Sequence, residues 1–359
     1  MSNKSILLAL LAGSMLVNEV SAFRMPKLPS WLGGSCVQEL SNDALVAVVG
    51  IGGAGGNVVN GMRKSREANG EEQLHFISVN TDVQDLERSV ATGKVLIGEK
   101  STQGMGTGAN PGLGRLAAQE SIRSIMDEIG TPRIAFLTAG MGGGTGSGAI
   151  SLVSEELRRR GVLTVAVVTE PFAFEGARRA RVATDAIAEL KKVVDAIIIV
   201  QNQRLLEHVG AGVSMVDAFK MVDHVLDQAV RAILEIVLKP GHINIDLADM
   251  CSILKNMGAA VIGVGTASGS DRALQAAKNA LTSPLIKNVD IANSKRCIVN
   301  ITGGMNLGLH EVSVIASYIE KQVDKDAHII VGSVFDESLG EEVRVSVVVT
   351  GVDTNREQQ

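Results

Sequence analysis

Residues 140–149, Gly140-Met141-Gly142-Gly143-Gly144-Thr145-Gly146-Ser147-Gly148-Ala149, decide how this chain folds. They follow an apolar run of buried-strand type, Ile134-Ala135-Phe136-Leu137-Thr138-Ala139, and precede Ile150, Val153 and Leu157 at helical spacing. Glycine at so many neighbouring positions lets successive N–H groups turn toward one point without Cβ clashes. At a helix start that point also sits at the positive end of the dipole. Phosphate is the ligand such a cup suits. A lone G-x-G-x-x-G would read as a flexible loop or a tight turn; GGGTGSG between a strand and a helix is far more specific.

Outward from this loop, strands and helices alternate. An apolar run at 44–49 is a first strand, followed by Gly50-Ile51-Gly52-Gly53-Ala54-Gly55-Gly56-Asn57 and a helical stretch to about residue 65. A strand at 74–79 ends at Asn80-Thr81-Asp82. Another glycine-rich loop, 104–111, opens a helix at 112–129 with Leu113, Leu116, Ala117, Ile122, Ile125 and Ile129 near one face. Strands at 133–139, 163–169 and 196–200 are separated by helices near 146–160 and 177–192. Continuous apolar strands alternating with helices predict a parallel sheet covered on both faces. Residues 214–238 form a longer stripe (Phe219, Val222, Leu226, Ala229, Ile233, Ile236), read as a central helix stopped by Lys239-Pro240-Gly241. Beyond it come a strand at 259–267, a helix at 271–281, a strand at 297–302, a helix at 309–323 and a strand at 328–334. Val343, Val345, Val347 and Val349 alternate with polar residues, which predicts a half-exposed last strand. The fold class is therefore α/β: a parallel-sheet nucleotide-binding domain at 41–213, a central helix at 214–238, and a smaller α/β domain at 239–352.

Two nucleotide classes compete. Gly50, Gly52 and Gly55 satisfy G-x-G-x-x-G, but an NAD-dependent oxidoreductase wants an acid about 20 residues on. The nearest fitting acid, Asp82, lies 27 residues past Gly55, and a dehydrogenase has no use for a second glycine cup. No G-x-x-x-x-G-K-[ST] exists: Gly56 to Gly61 has the spacing, but Met62 and Arg63 follow. Three glycine-rich loops, 52–57, 106–110 and 142–148, each at the C-terminal end of a predicted strand, are expected to converge on one ligand edge. A polyphosphate needs that many N–H donors where no lysine is placed to neutralise it.

These motifs together resemble the tubulin/FtsZ superfamily of GTPases, and residues 42–351 resemble FtsZ. The resemblance rests on GGGTGSG, on Gly52, Gly53, Ala54, Gly55, Gly56 and Asn57 of the first loop, and on Asn80-Thr81-Asp82. It rests also on Gly106-Thr107-Gly108-Ala109-Asn110-Pro111 and on Pro171-Phe172-Ala173-Phe174-Glu175-Gly176 with Arg178 and Arg179. It implies GTP/GDP as ligand, bound by those loops, by Gly108, and by Gly142, Gly143, Gly144, Thr145 and Gly146. Loops 80–82 and 106–111 would sense the γ-phosphate, Glu175 would hold ribose hydroxyls, and Arg179 the sugar-phosphate region. Asn202, Phe219 and Asp223 match the base pocket. Guanine N1–H and its amino group donate to a carboxylate, and an Asn amide can serve the O6/N7 side. Phe219 and Asp223, four apart, share a helical face, so the ring can stack while the carboxylate reads the edge. Without the resemblance, Asp223 would read as a solvated helix residue and Phe219 as core.

Asn244-Ile245-Asp246-Leu247-Ala248-Asp249 resembles the family's catalytic loop, NxDxxD. Asn244 is a plausible cap, and Asp246 and Asp249 can point the same way. Plain capping, with two acids near the dipole's positive end, is the modest alternative. The resemblance implies that these acids orient water or Mg²⁺ on the GTP of the next subunit, with no dedicated protein metal site. The partner is then a second copy in a head-to-tail homopolymer, with a second FtsZ-type subunit and division-ring proteins as further candidates. A GTP-loaded scaffold with little turnover is the alternative. Departures from the family pattern are Thr107, where Ala is usual, Ala177, Glu170 and Gln203.

The 359 residues carry 45% apolar and 20% charged residues, enough for two ordinary domains and a sizeable core. A net charge of −5 argues against nucleic acid as a partner. Cys36, Cys251 and Cys297 give neither a disulfide framework nor a metal spacing. No apolar stretch of the body reaches membrane-spanning length, so the mature chain is not expected to insert in a membrane. Residues 1–40 differ: Lys4, an apolar run at 6–17 and Val20-Ser21-Ala22 have the layout of a secretory signal. Residues 23–38, with Arg24 and Lys27 and no acid, have transit-peptide composition. This bipartite layout predicts the plastid (chloroplast) stroma ahead of the mitochondrion, and with the family it predicts an organelle division ring. Residues 353–359 read as a short tail without the family's anchor peptide, which points to recruitment through a co-polymerising partner or another surface.

Overall fold

The computed structural model describes residues 45–67, 74–209, 214–238, 241–243, 254–255, 258–283, 286 and 291–350. The expectations for 1–40, for Asn244, Asp246 and Asp249, and for 353–359 lie outside the described residues. In chain order the elements are β1 (Val46–Ile51), α1 (Gly52–Glu67), β2 (Leu74–Asn80), α2 (Val83–Arg88), β3 (Gly93–Leu96), α3 (Glu99–Thr102), α4 (Pro111–Ile129), β4 (Ile134–Gly140), α5 (Thr145–Arg159), β5 (Leu163–Glu170), α6 (Ala177–Val193), β6 (Ala196–Gln201) and α7 (Asn202–Val209). Then come α8 (Met215–Leu238), β7 (Gly241–Ile243), β8 (Gly258–Ala267), α9 (Arg272–Leu281), β9 (Arg296–Gly303), α10 (Leu309–Glu320), β10 (His328–Phe335) and β11 (Val343–Thr350).

All the described strands join one sheet, in the order β3-β2-β1-β4-β5-β6-β8-β11-β9-β10-β7. From β3 to β6 every pair is parallel. β1 shows why its sequence is apolar throughout. Val46 and Val48 enter the core beneath α8, with Val222, Leu226 and Ile233. Ala47 and Val49 enter a second core with Ile125, Ile150 and Leu190. A third core, beneath α9 and α10, gathers Ala276, Ala280, Ile315 and Ile319 against Val343, Val345, Val347 and Val349.

The last strand departs from expectation. β11 runs between β8 and β9, antiparallel to both, and its polar face is covered rather than wet. Ser346 is 3% exposed and Thr350 1%. Arg344 Nη1 lies 3.5 Å from Glu235 Oε1 of α8. The alternation that reads as a half-exposed strand belongs to a sheet face packed on a helix that carries its own buried carboxylate.

Two glycines set how closely α1 sits on the sheet. A Cβ on Gly50 would stand 2.3 Å from Gly55 O, and one on Gly55 would stand 2.4 Å from Thr138 O. The expected loop at 50–57 is therefore mostly the first turns of α1, which starts at Gly52 with φ of 75°.

Candidate nucleotide-binding site

From β1 the chain steps outward to β2 and β3 on one side, and from β4 to β5 and β6 on the other. Such a reversal leaves a crevice at the C-terminal strand ends, where ligands of open α/β sheets bind. The N-termini of α1 and α5 both open there. A Cβ on Gly52 would lie 3.1 Å from Gly146 N. A Cβ on Gly144 would lie 2.2 Å from Thr107 Oγ1 and 2.6 Å from Asn110 N. The three glycine loops thus converge, as their sequence positions predict. The second of them does not follow a strand: it follows α3, and is docked by an Asp82–Met105 bridge and by Gly106 N donating to Thr81 O at 3.1 Å. Gly106, Gly108 and Ala109 have φ of 78°, 56° and 59°, a left-handed path that glycine makes cheap. Gly142 N donates to Ser147 Oγ at 2.9 Å, folding the α5 loop on itself. Gly53, Ala54 and Asn57 of α1 and Gly108 are exposed, and Gly143 is half-buried.

Three hydroxyls meet beneath these loops. Thr81 Oγ1 lies 2.7 Å from Thr145 Oγ1, and Thr107 Oγ1 lies 3.3 Å from it. Asp82 accepts from Gln84 N at 2.9 Å, so it caps α2. Thr81 N in turn donates to Asn80 Oδ1 at 2.8 Å.

Toward β5 and β6 the site changes character. A Cβ on Gly142 would lie 2.8 Å from Arg179 O, which seats the start of α6 on the glycine loop. Glu175 accepts from Phe172 N at 2.9 Å and forms an ion pair with Arg179. Ala173 N donates to Gln203 Oε1 at 3.1 Å, tying this segment to the start of α7 beside Asn202. Phe172 is buried; its ring stacks on Phe174 at 5.1 Å and meets Phe219 edge-on at 5.3 Å. Phe219 and Phe174 remain 39% and 61% exposed. Asp223 shares with Asn57 a cleft of about 610 Å³ between α1, α8, β8 and β11. Burial pushes its carboxyl up to about 6. Burial also raises the Glu170 carboxyl, against the pull of Arg204 and Lys191. Asn202 is 4% exposed, and its Oδ1 has no hydrogen-bond partner. An unpaired buried acceptor costs about 1–3 kcal/mol, so an acceptor left open here fits a donor arriving with a ligand.

Of the described residues named for the nucleotide, the glycine loops meet at the C-terminal strand ends, Glu175 and Arg179 follow β5, Asn202 follows β6, Phe219 meets Phe172, and Asn57 and Asp223 line the cleft. The sequence reading missed Phe172 as the ring on which Phe174 and Phe219 assemble. It also missed the Thr81–Thr107–Thr145 cluster, whose only signal was a threonine in each of three loops. Among the described residues, no group of three or more His, Cys, Asp or Glu could hold a metal ion. None of their helices is long and apolar enough to cross a membrane.

Fold and site define a nucleotide-binding α/β protein with a second domain built onto the same sheet. The GTPase domain of the tubulin/FtsZ family matches residues 45–210, and the C-terminal domain of the FtsZ family matches residues 258–353. The cell division protein FtsZ 2 of Rhizobium meliloti is 43% identical over 314 residues, covering 88% of this chain and 90% of that one. FtsZ of Caulobacter vibrioides is 44% identical over 308 residues, covering 86% of this chain but 60% of its own length. An FtsZ dimer from M. jannaschii superposes with a TM-score of 0.80 at 38% identity, covering 86% of this chain and 88% of that chain. The chain belongs to the FtsZ family of tubulin-like GTPases. An NAD-dependent oxidoreductase is thereby excluded.

Proposed function

We propose that this chain binds GTP along the switch-point crevice, assembles head to tail, and hydrolyses GTP where two subunits meet. The observation that carries the reading is the convergence of three glycine loops at the C-terminal strand ends, where a Cβ on Gly52 would meet Gly146 and one on Gly144 would meet Thr107 and Asn110. Backbone N–H groups at the starts of α1 and α5 hold the phosphates. Glu175 and Arg179 hold the sugar side. Phe219 stacks on the base, and Asp223 accepts from guanine N1–H and its amino group. Mg²⁺ would be held by the phosphate oxygens, its own waters and one or two carboxylates, and would neutralise phosphate charge there.

Asn244, Asp246 and Asp249 are assigned to the neighbour's GTP. β7, which leads directly into them, pairs with β10 at the edge of the sheet opposite β2 and β3. That β7, the described element preceding them in sequence, lies at the opposite sheet edge from β3 supports this assignment. Positioning and charge neutralisation are most of what phosphoryl transfer asks of a protein. A heterologous contact that does not close produces a filament. The relatives named above as cell-division proteins support a role in a division ring. The composition of residues 1–40 supports a plastid as the place, with a second FtsZ-type subunit and other ring proteins as partners.

The test is GTP hydrolysis against protein concentration with Mg²⁺, beside Asp249→Ala. Specific activity that switches on above a threshold and disappears in the variant is expected. Activity flat per molecule and indifferent to the variant would sink the shared site. Tight GTP binding without turnover would leave a polymerising scaffold. For the location, residues 1–40 fused to a fluorescent protein should enter plastids; retention outside them refutes that part.

A further inference from the structure

Sheet order sets the polarity of the crevice. Asn202 follows β6, Glu175 and Arg179 follow β5, Thr145 opens the helix after β4, and Thr81 follows β2. From β2 to β6 is four strand spacings, about 19 Å, roughly the reach of an extended nucleoside triphosphate. With the base at the β6 end, the far end at β2 belongs to the terminal phosphate. That end holds Thr81, Thr107 and Thr145, which are 0%, 8% and 8% exposed.

A hydroxyl has one proton and two lone pairs. Thr145 Oγ1 is approached by two hydroxyls, Thr81 at 2.7 Å and Thr107 at 3.3 Å. Thr107 is held there from behind: its side chain packs where a Cβ on Gly144 would collide, and its carbonyl accepts from Asn110 N at 3.1 Å. We propose that Thr81 and Thr107 both donate to Thr145, leaving the one Thr145 proton to point at the terminal phosphate, so that Thr107 sharpens the choice of GTP over GDP. Thr107 is a positioning residue: it acts through Thr145. With alanine at 107, one lone pair of Thr145 is freed, and its proton can turn toward Thr81 instead. The inference rests on the nucleotide reading above.

The experiment measures GTP and GDP affinity of the full chain, in Mg²⁺, for the wild type, Thr107→Val and Thr107→Ser. Valine keeps the shape and removes the hydroxyl; serine keeps the hydroxyl. The expected result is GTP binding weakened by roughly 3- to 10-fold in Thr107→Val, the range of one neutral hydrogen bond. GDP binding should be unchanged, and Thr107→Ser should restore the wild-type ratio. Thr107→Ala, which only removes atoms, carries the same expectation if the valine variant does not fold. Equal weakening of both nucleotides, or no change in either, overturns the role of Thr107 while leaving the site intact. A wild type that binds neither nucleotide overturns the nucleotide reading itself, and this inference with it.

Discussion

The two ends of the crevice are built on different principles. The end proposed for the phosphates is backbone and hydroxyl, closed by contacts so tight that a single Cβ would collide at Gly144 or Gly55. The end proposed for the base is side chain: half-exposed rings, an acid whose ionisation burial resists, and an amide oxygen with no partner. One end is fixed by close backbone packing; the other is shaped by side chains. Affinity is thus expected to reside in the first and base selectivity in the second.

The sharpest way to break this contrast is Gly55→Ala. Its Cβ would press on Thr138 O across the α1–sheet contact, and such overpacking costs about 3 kcal/mol. The denaturant midpoint should fall and nucleotide binding should go with it; an unchanged midpoint refutes the tight-contact argument. Asp223→Asn should weaken GTP by about 2 kcal/mol, the scale of hydrogen bonds to a charge, while stability at neutral pH rises, because burial disfavours the ionised acid. ATP competition should be unaffected, and equal losses for both nucleotides would remove Asp223 from base reading. Phe219→Ala should cost about 1.5 kcal/mol of GTP affinity through lost stacking, measured by titration calorimetry.

Acidity separates the two ends further. The Asp223 carboxyl is raised from 3.8 to about 6 in the fold. Its favourable contribution to stability is therefore fully present below 3.8 and is lost as pH rises through 6. In the proposed site binding runs the opposite way, because guanine N1–H and its amino group would need the ionised acceptor. GTP affinity should fall by up to about tenfold per pH unit below 6, and Asp223→Asn should flatten that profile. The smallest effect has reversed sign. Asn202→Leu removes an unpaired buried acceptor, so the empty protein should gain about 1 kcal/mol while GTP binding weakens. A destabilised variant would show that Asn202 is structural.

How much of this was legible in sequence follows the same divide. Glycine loops are local and backbone-driven, so GGGTGSG and the strands flanking it announce the phosphate end directly. The base end is assembled from β5, α7 and α8, and no spacing joins Asn202 to Phe172. Phe219 and Asp223 were found only through the resemblance. β3, four residues with Lys94 exposed, has too little pattern to be seen. The wet face assigned to β11 failed because period-two alternation reports that one face differs from the other, and not what covers it. Here the cover is α8, with Glu235 accepting from Thr302 Oγ1 at 3.2 Å and paired with Arg344.

One seam in the sheet has a mechanical meaning. β6 joins β8 through Ala196, Ile197 and Ile198 opposite Gly258, Ala259 and Ala260, whereas β8 and β11 zip together from Ala260 to Ala267. Tension applied between the two halves would load that short ladder first. It is the line along which the sheet would tear, and α8 is the strap left spanning the gap.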